Sequence, residues 1–132
     1  MPEKEEINRF LGNFKKSINK HSLHVLKRDK NIKTIVELGF KLLDVSDEIL
    51  RLTYMDYIDG PKTDYDDNYP GVLWEFGKNI KYEDIYIKLK LSDDKPVCIS
   101  FHVAEKKLAY PFKDRITENE KKMPNLRKRR QN

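Results

Sequence analysis

At 132 residues the chain has room for one modest core and too little for two. Six Phe, seven Tyr and one Trp argue against wholesale disorder although 37% of the residues are charged. Its single cysteine, Cys98, rules out an intramolecular disulfide, and no apolar stretch approaches the ~20 residues that a membrane-spanning helix needs.

The net charge of +5 is unevenly placed. Residues 1–112 carry 19 basic and 19 acidic side chains, and residues 113–132 carry 8 and 3, so the excess lies wholly in the tail. Nucleic-acid binding by the neutral remainder must therefore be argued locally. The tail, with Arg127, Lys128, Arg129 and Arg130, reads as a basic, flexible terminus that could neutralise phosphates. Without a signal-peptide pattern, and with one thiol, the expected compartment is the cytoplasm.

Residues 3–20 space Ile7, Phe10, Leu11, Phe14 and Ile18 by threes and fours. Acids near the start and lysines near the end suit the dipole of an amphipathic helix. Asn31 is placed to cap a second helix running to Leu38, with Gly39 as its stop, and Asp44 or Ser46 to start a third through Ile49 and Leu52. From Asp59 to Gly71 the composition turns to Gly, Pro, Asp, Asn and Tyr, which predicts a loop.

Three alternating runs follow, Val72 to Phe76, Ile85 to Leu91 and Val97 to Val103, and they predict an antiparallel meander. Side chains two apart share a face. One face receives Val72, Trp74, Phe76, Ile85, Ile87, Leu89, Leu91, Val97, Ile99, Phe101 and Val103, and the helices should cover it. The other receives Leu73, Glu75, Tyr86, Lys88, Lys90, Cys98, Ser100 and His102 and can meet a ligand. Pairing Leu91 with Val97 sets Tyr86 opposite His102 and Lys88 opposite Ser100; pairing Phe76 with Ile85 sets Glu75 beside Tyr86. The predicted fold class is α+β, with N-terminal helices on one face of an antiparallel sheet of at least three strands, a single domain over 1–112.

Glu75, Tyr86, Lys88 and His102 would gather a carboxylate, a phenol, a cation and an imidazole on one open face. RNA carries its own nucleophile, the 2′-hydroxyl, so its cleavage needs a base, a cation for the phosphorane charge and an acid for the 5′-oxygen. His102 suits the acid because an ordinary imidazole titrates at ~6.5; Glu75 is the preferred base, Lys88 the charge stabiliser, and Tyr86 orients phosphate or substitutes in proton transfer. Polar residues on an outer sheet face are also what any antiparallel sheet displays. The acidic cluster Asp64, Asp66 and Asp67 lacks the Gly and closing Glu of an EF-hand, His21 and His24 lack supporting ligands, and no phosphate-binding glycine loop occurs. No metal and no cofactor is called for.

The stretch from Tyr57 to Phe112, with GP, WEFGK, IYIKLKL and ISFHVAE, together with LKRDKN and ELG upstream, resembles the MqsR-type toxins of type II toxin-antitoxin systems, relatives of the RelE-like mRNA interferases. The resemblance covers residues 25 to 112. It implies a RelE-like fold, a hydrolase that is a metal-independent mRNA endoribonuclease, RNA as substrate, possibly on the ribosome, and restraint by a cognate antitoxin protein. It places Glu75, Tyr86 and Lys88 at active-site positions, and Lys62 at that of a lysine near the preceding loop. Lys90 and Ser100 are expected to contact RNA from the same face. Where the better-known toxin has Gln after the strand Trp this chain has Glu75, which leaves the identity of the base open, and it has His102 in place of Lys. The alternatives are a non-catalytic RNA-binding module and a protein-interaction module that uses Tyr54, Tyr57, Tyr65 and Tyr69.

Overall fold

The computed structural model describes residues 1–66 and 68–113. Helix α1 (Lys4–His21) and two short helices, α2 (Asp29–Glu37) and α3 (Leu42–Leu50), accompany a sheet of β1 (His24–Val25), β2 (Tyr57–Thr63), β3 (Val72–Ile80), β4 (Glu83–Ser92) and β5 (Lys95–Val103). The strand order is β1-β5-β4-β3-β2. The class is α+β as expected, but the sheet is mixed: β2 to β5 are antiparallel, and β1 pairs with β5 in parallel. Two residues in an extended conformation, bounded by charged and turn residues, carry no alternation by which β1 could be recognised. Apart from Lys113, the basic tail of 113–132 lies outside the described residues, and no described helix is long and apolar enough to cross a membrane.

The core forms where α1 lays its apolar stripe on one sheet face. Phe14 and Ile7 are fully buried, and Phe10 stacks on Trp74 with centroids 4.8 Å apart. Phe76, Ile85, Ile87, Leu89 and Phe101 supply the sheet side of this layer, as the alternation predicted.

Cap assignments changed. Asn31 lies inside α2 and is buried rather than at the cap, because its amide serves β5: Nδ2 donates to Ile99 O and Leu26 O, each at 3.0 Å, and Oδ1 accepts from Phe101 N–H at 2.9 Å. Thr34 accepts from Val103 N–H at 3.1 Å. Beyond the two residues paired with β1, the outer edge of β5 is thus satisfied by side chains of α2. Asp44 does not start α3 but sits in its first turn, where its carboxylate accepts the Lys41 N–H at 2.7 Å. Gly39, with φ of 69°, follows α2 as expected.

The register differs from the expectation in two ways. Lys81 and Tyr82 both take positive φ, as do Asp93 and Asp94, so each hairpin closes on a two-residue turn. β3 therefore runs on through Gly77 to Ile80, Phe76 pairs with Ile87 instead of Ile85, and Glu75 faces Lys88. In β5 the pairs Tyr86–His102 and Lys88–Ser100 occur as expected, yet Leu91 pairs with Pro96 and Leu89 with Cys98. Ile99 is the extra residue of a β-bulge. Before the bulge the faces exchange: Cys98 joins the core rather than the polar face, and Val97 sits opposite Lys90. Burial holds the Cys98 thiol far above its usual range.

The segment from Asp59 to Thr63 is also not a loop but most of β2, an edge strand with irregular register. Gly60 and Pro61 are tolerated there because only one side of an edge strand has to pair.

Candidate active site

The polar face of the sheet is straddled by two chain segments. Residues 64–66 and 68–71, between β2 and β3, cross one end and bring Tyr69 to His24, 3.3 Å from ring nitrogen to hydroxyl. Residues 104–110, after β5, cross the other. Leu108 and Tyr110 come so near Gly77 that a Cβ there would meet them at 2.7 and 2.9 Å, so a side chain at this position would lift the segment. Between the crossings lies a cleft of about 1080 Å³.

Glu75, Tyr86, Lys88, Ser100, His102 and Lys62 all line this cleft. The Tyr86 hydroxyl donates to Glu75 Oε1. Glu75 Oε2 is buried and has the Lys62 ammonium 2.7 Å away, an ion pair that departs from hydrogen-bond geometry. Lys62 also reaches Asp59 at 2.8 Å. The His102 ring lies 5.5 Å from that of Tyr86, and the Lys88 ammonium is 5.8 Å from the Tyr86 centroid. His102 Nδ1 is 2.9 Å from Val103 O; a carbonyl can only accept, so Nδ1 carries the proton and Nε2 is the nitrogen left for other chemistry.

Burial first, and then the Glu75 carboxylate, push the Tyr86 phenol well above its usual range. The hydroxyl therefore stays protonated and can lose its proton only as another arrives. Its bonds to Asp59 and then to Glu75 raise the Lys62 ammonium above the ordinary lysine value, so it stays charged.

Two expected RNA contacts are placed differently. Lys90 is fully buried and does not line the cleft; its ammonium binds Asp64 and, at 2.5 Å, Tyr69 O, beneath the segment that carries both. It anchors that segment. Ser100 lines the cleft but is 4% exposed, so it can meet a ligand only through a small surface. The acidic cluster is occupied as well: Asp64 by Lys90, and Asp66 by the Asn68 N–H at 2.9 Å, while Asp67 lies outside the described residues.

The buried Lys90 yields a stability prediction. Asp64→Ala leaves an ammonium without its counter-ion and is expected to cost about 2–3 kcal/mol, below the usual loss for a broken buried pair because the Asp64 side of the pair is partly exposed to water. Lys90→Met, which removes the charge along with its need for a partner, should cost less. The Lys90 bond holds the Asp64 carboxyl below its usual range. Its contribution is therefore complete above the unfolded-state value of ~3.9 and disappears as pH falls through the lower folded-state value. Urea unfolding of both variants at pH 7 and in acid checks sign and size.

Three contributors escaped the sequence reading: Asp59, the start of α2 at Arg28 to Lys30, and the 104–109 wall, where Glu105 pairs with Lys30 across the cleft. Arg28 to Lys30 fall within LKRDKN, but nothing in that motif points to the groove; Asp59 is brought in by a bulge and 104–109 by a crossing. The fold and cleft define an α+β protein whose sheet presents an acid–base cluster to an open groove. No protein-family model, curated protein or solved structure matches the chain.

Proposed function

We propose that this protein is a metal-independent endoribonuclease of RelE-like architecture, the toxin of a type II toxin-antitoxin pair, acting on mRNA in the cytoplasm and restrained by a cognate antitoxin protein. What supports the reading is a single juxtaposition: Tyr86 bonded to Glu75, with Lys62, Lys88 and His102 around the same groove.

Both oxygens of Glu75 are engaged, so the carboxylate acts as base through the phenol. Tyr86 Oη takes the proton of the ribose 2′-hydroxyl as its own proton passes to Glu75 Oε1, which avoids a free tyrosinate. The 2′-oxygen attacks phosphorus, and Lys88 with Lys62 offsets the charge on the non-bridging oxygens. The bond to the 5′-oxygen breaks as protonated His102 delivers a proton from Nε2. The products are a 2′,3′-cyclic phosphate and a 5′-hydroxyl.

Purified protein is expected to cleave single-stranded RNA in EDTA, alone or on programmed ribosomes, and to leave those ends, as read by end-labelling and mass spectrometry. Products with 5′-phosphates, or intact RNA bound in both settings, would reject the nuclease and favour an RNA-binding module.

A further inference from the structure

Asp59 lines the groove, bonded to Lys62, and has no part in the chemistry above. It lies on β2, where residues three apart would ordinarily point to opposite sides of the sheet. Here the register slips between Tyr57 and Asp59 and again between Asp59 and Lys62, so that Asp59 faces Glu75 while Lys62 faces Leu73. Both bulges turn the two side chains onto the polar face, where Lys62 Nζ sits 2.8 Å from Asp59 Oδ2 and 2.7 Å from Glu75 Oε2. The other Asp59 oxygen is held by the Gly60 N–H at 2.8 Å. Gly60 has a φ of 108°, and a Cβ on it would meet Leu73 O at 2.6 Å, so this backbone turn is specific to glycine. A lysine side chain has four freely turning carbons and about half of this one is exposed, so a single contact to Glu75 would hold it loosely.

We infer that Asp59 is a positioning residue: its carboxylate, fixed by the Gly60 amide, clamps the Lys62 ammonium beside Glu75 at the mouth of the groove, where an arriving phosphate meets it. The clamp rests on the nuclease reading for its purpose but not for its geometry. Without substrate, one ammonium serves two carboxylates. When a phosphodiester enters, Lys62 keeps Asp59 as its anchor and can turn from Glu75 to the phosphate, freeing Glu75 Oε2 as the Tyr86 proton reaches Oε1. The charge states agree: the Asp59 carboxyl is held below its usual range, first by its bond to Lys62, and the ammonium above its own, first by Asp59.

The test uses the full chain with Asp59→Asn and Asp59→Glu. Lys62 is labelled with acetic anhydride in folded protein, its extent read by mass spectrometry against the exposed Lys33, and RNA cleavage is followed in parallel. In Asp59→Asn, Lys62 is expected to label several-fold faster, as its free-amine fraction and mobility rise. For a catalytic group left mispositioned, kcat should fall about tenfold with KM little changed, and Asp59→Glu should recover part of both. Labelling of Lys62 at the wild-type rate in Asp59→Asn overturns the clamp, and faster labelling with unchanged kcat overturns its role in catalysis. If wild-type protein cleaves RNA neither free nor on programmed ribosomes while Asp59→Asn still releases Lys62, the nuclease reading fails and the clamp stands.

Discussion

Glu75→Gln and Tyr86→Phe are each expected to slow RNA cleavage by about 10²- to 10⁴-fold, and the double variant to be no slower than the worse single one. In the proposed mechanism the bonded hydroxyl and carboxylate act as one relay, so removing either end removes the path. Tyr86→Phe keeps the ring beside His102 and Lys88, which separates loss of the proton path from loss of packing. His102→Ala, acting on the leaving oxygen at the other side of the phosphorus, is expected to slow the same step by about 10²- to 10⁴-fold. A substrate with a better leaving group, such as a 5′-thiolate in place of the alkoxide, should restore much of the His102→Ala activity and little of that of Glu75→Gln. Equal rescue of both would remove the assignment of acid and base. Single-turnover rates on one RNA, with far-ultraviolet circular dichroism to check folding, provide the measurement.

The largest stability effect is expected at Asn31. Alanine there strips partners from Ile99 O, Phe101 N–H and Leu26 O together. Asn31 is 1% exposed, so water cannot replace the amide without opening the helix from the sheet. Each buried polar group left alone costs about 1–3 kcal/mol, and with partial relaxation the sum should be about 3–5 kcal/mol. Aspartate at the same position would keep the acceptor for Phe101 but set a carboxylate against two carbonyls, so Asn31→Asp should be nearly as damaging. Urea denaturation gives the magnitude. Amide exchange at Phe101 gives the location, since its N–H should lose protection more than those of Ile87 or Leu89 in the sheet interior.

Asn31 also bears on the groove. The bulge at Ile99 shifts β5 by one residue, and its carbonyl is one of those Asn31 holds. Were the bulge to move past Ser100, the alternation would carry Ser100 to the core side and Lys88 would lose its neighbour. A polar residue on a helix thus helps fix which side chains the sheet presents.

The alternation of Trp74, Phe76, Ile85, Ile87 and Leu89 was enough to separate a buried from a polar face, because a period of two follows from strand geometry alone. The stripe on α1 and the stop at Gly39 were legible for the same reason: helix periodicity and positive φ are local properties. Glu75, Tyr86, Lys88 and His102 could therefore be assigned to one side of the sheet from their positions in the chain. Their partners could not. Two turns of paired positive-φ residues set the register, three bulges decided that Cys98 is core and that Asp59 and Lys62 share a face, and the crossing that carries Asp64 and Tyr69 buried Lys90. A bulge is one residue gained on one strand relative to its neighbour, so it exists only in the pairing of two strands and leaves no period in either. Composition and alternation determined which side these polar groups are on; the tertiary pairing alone decided which of them meet there.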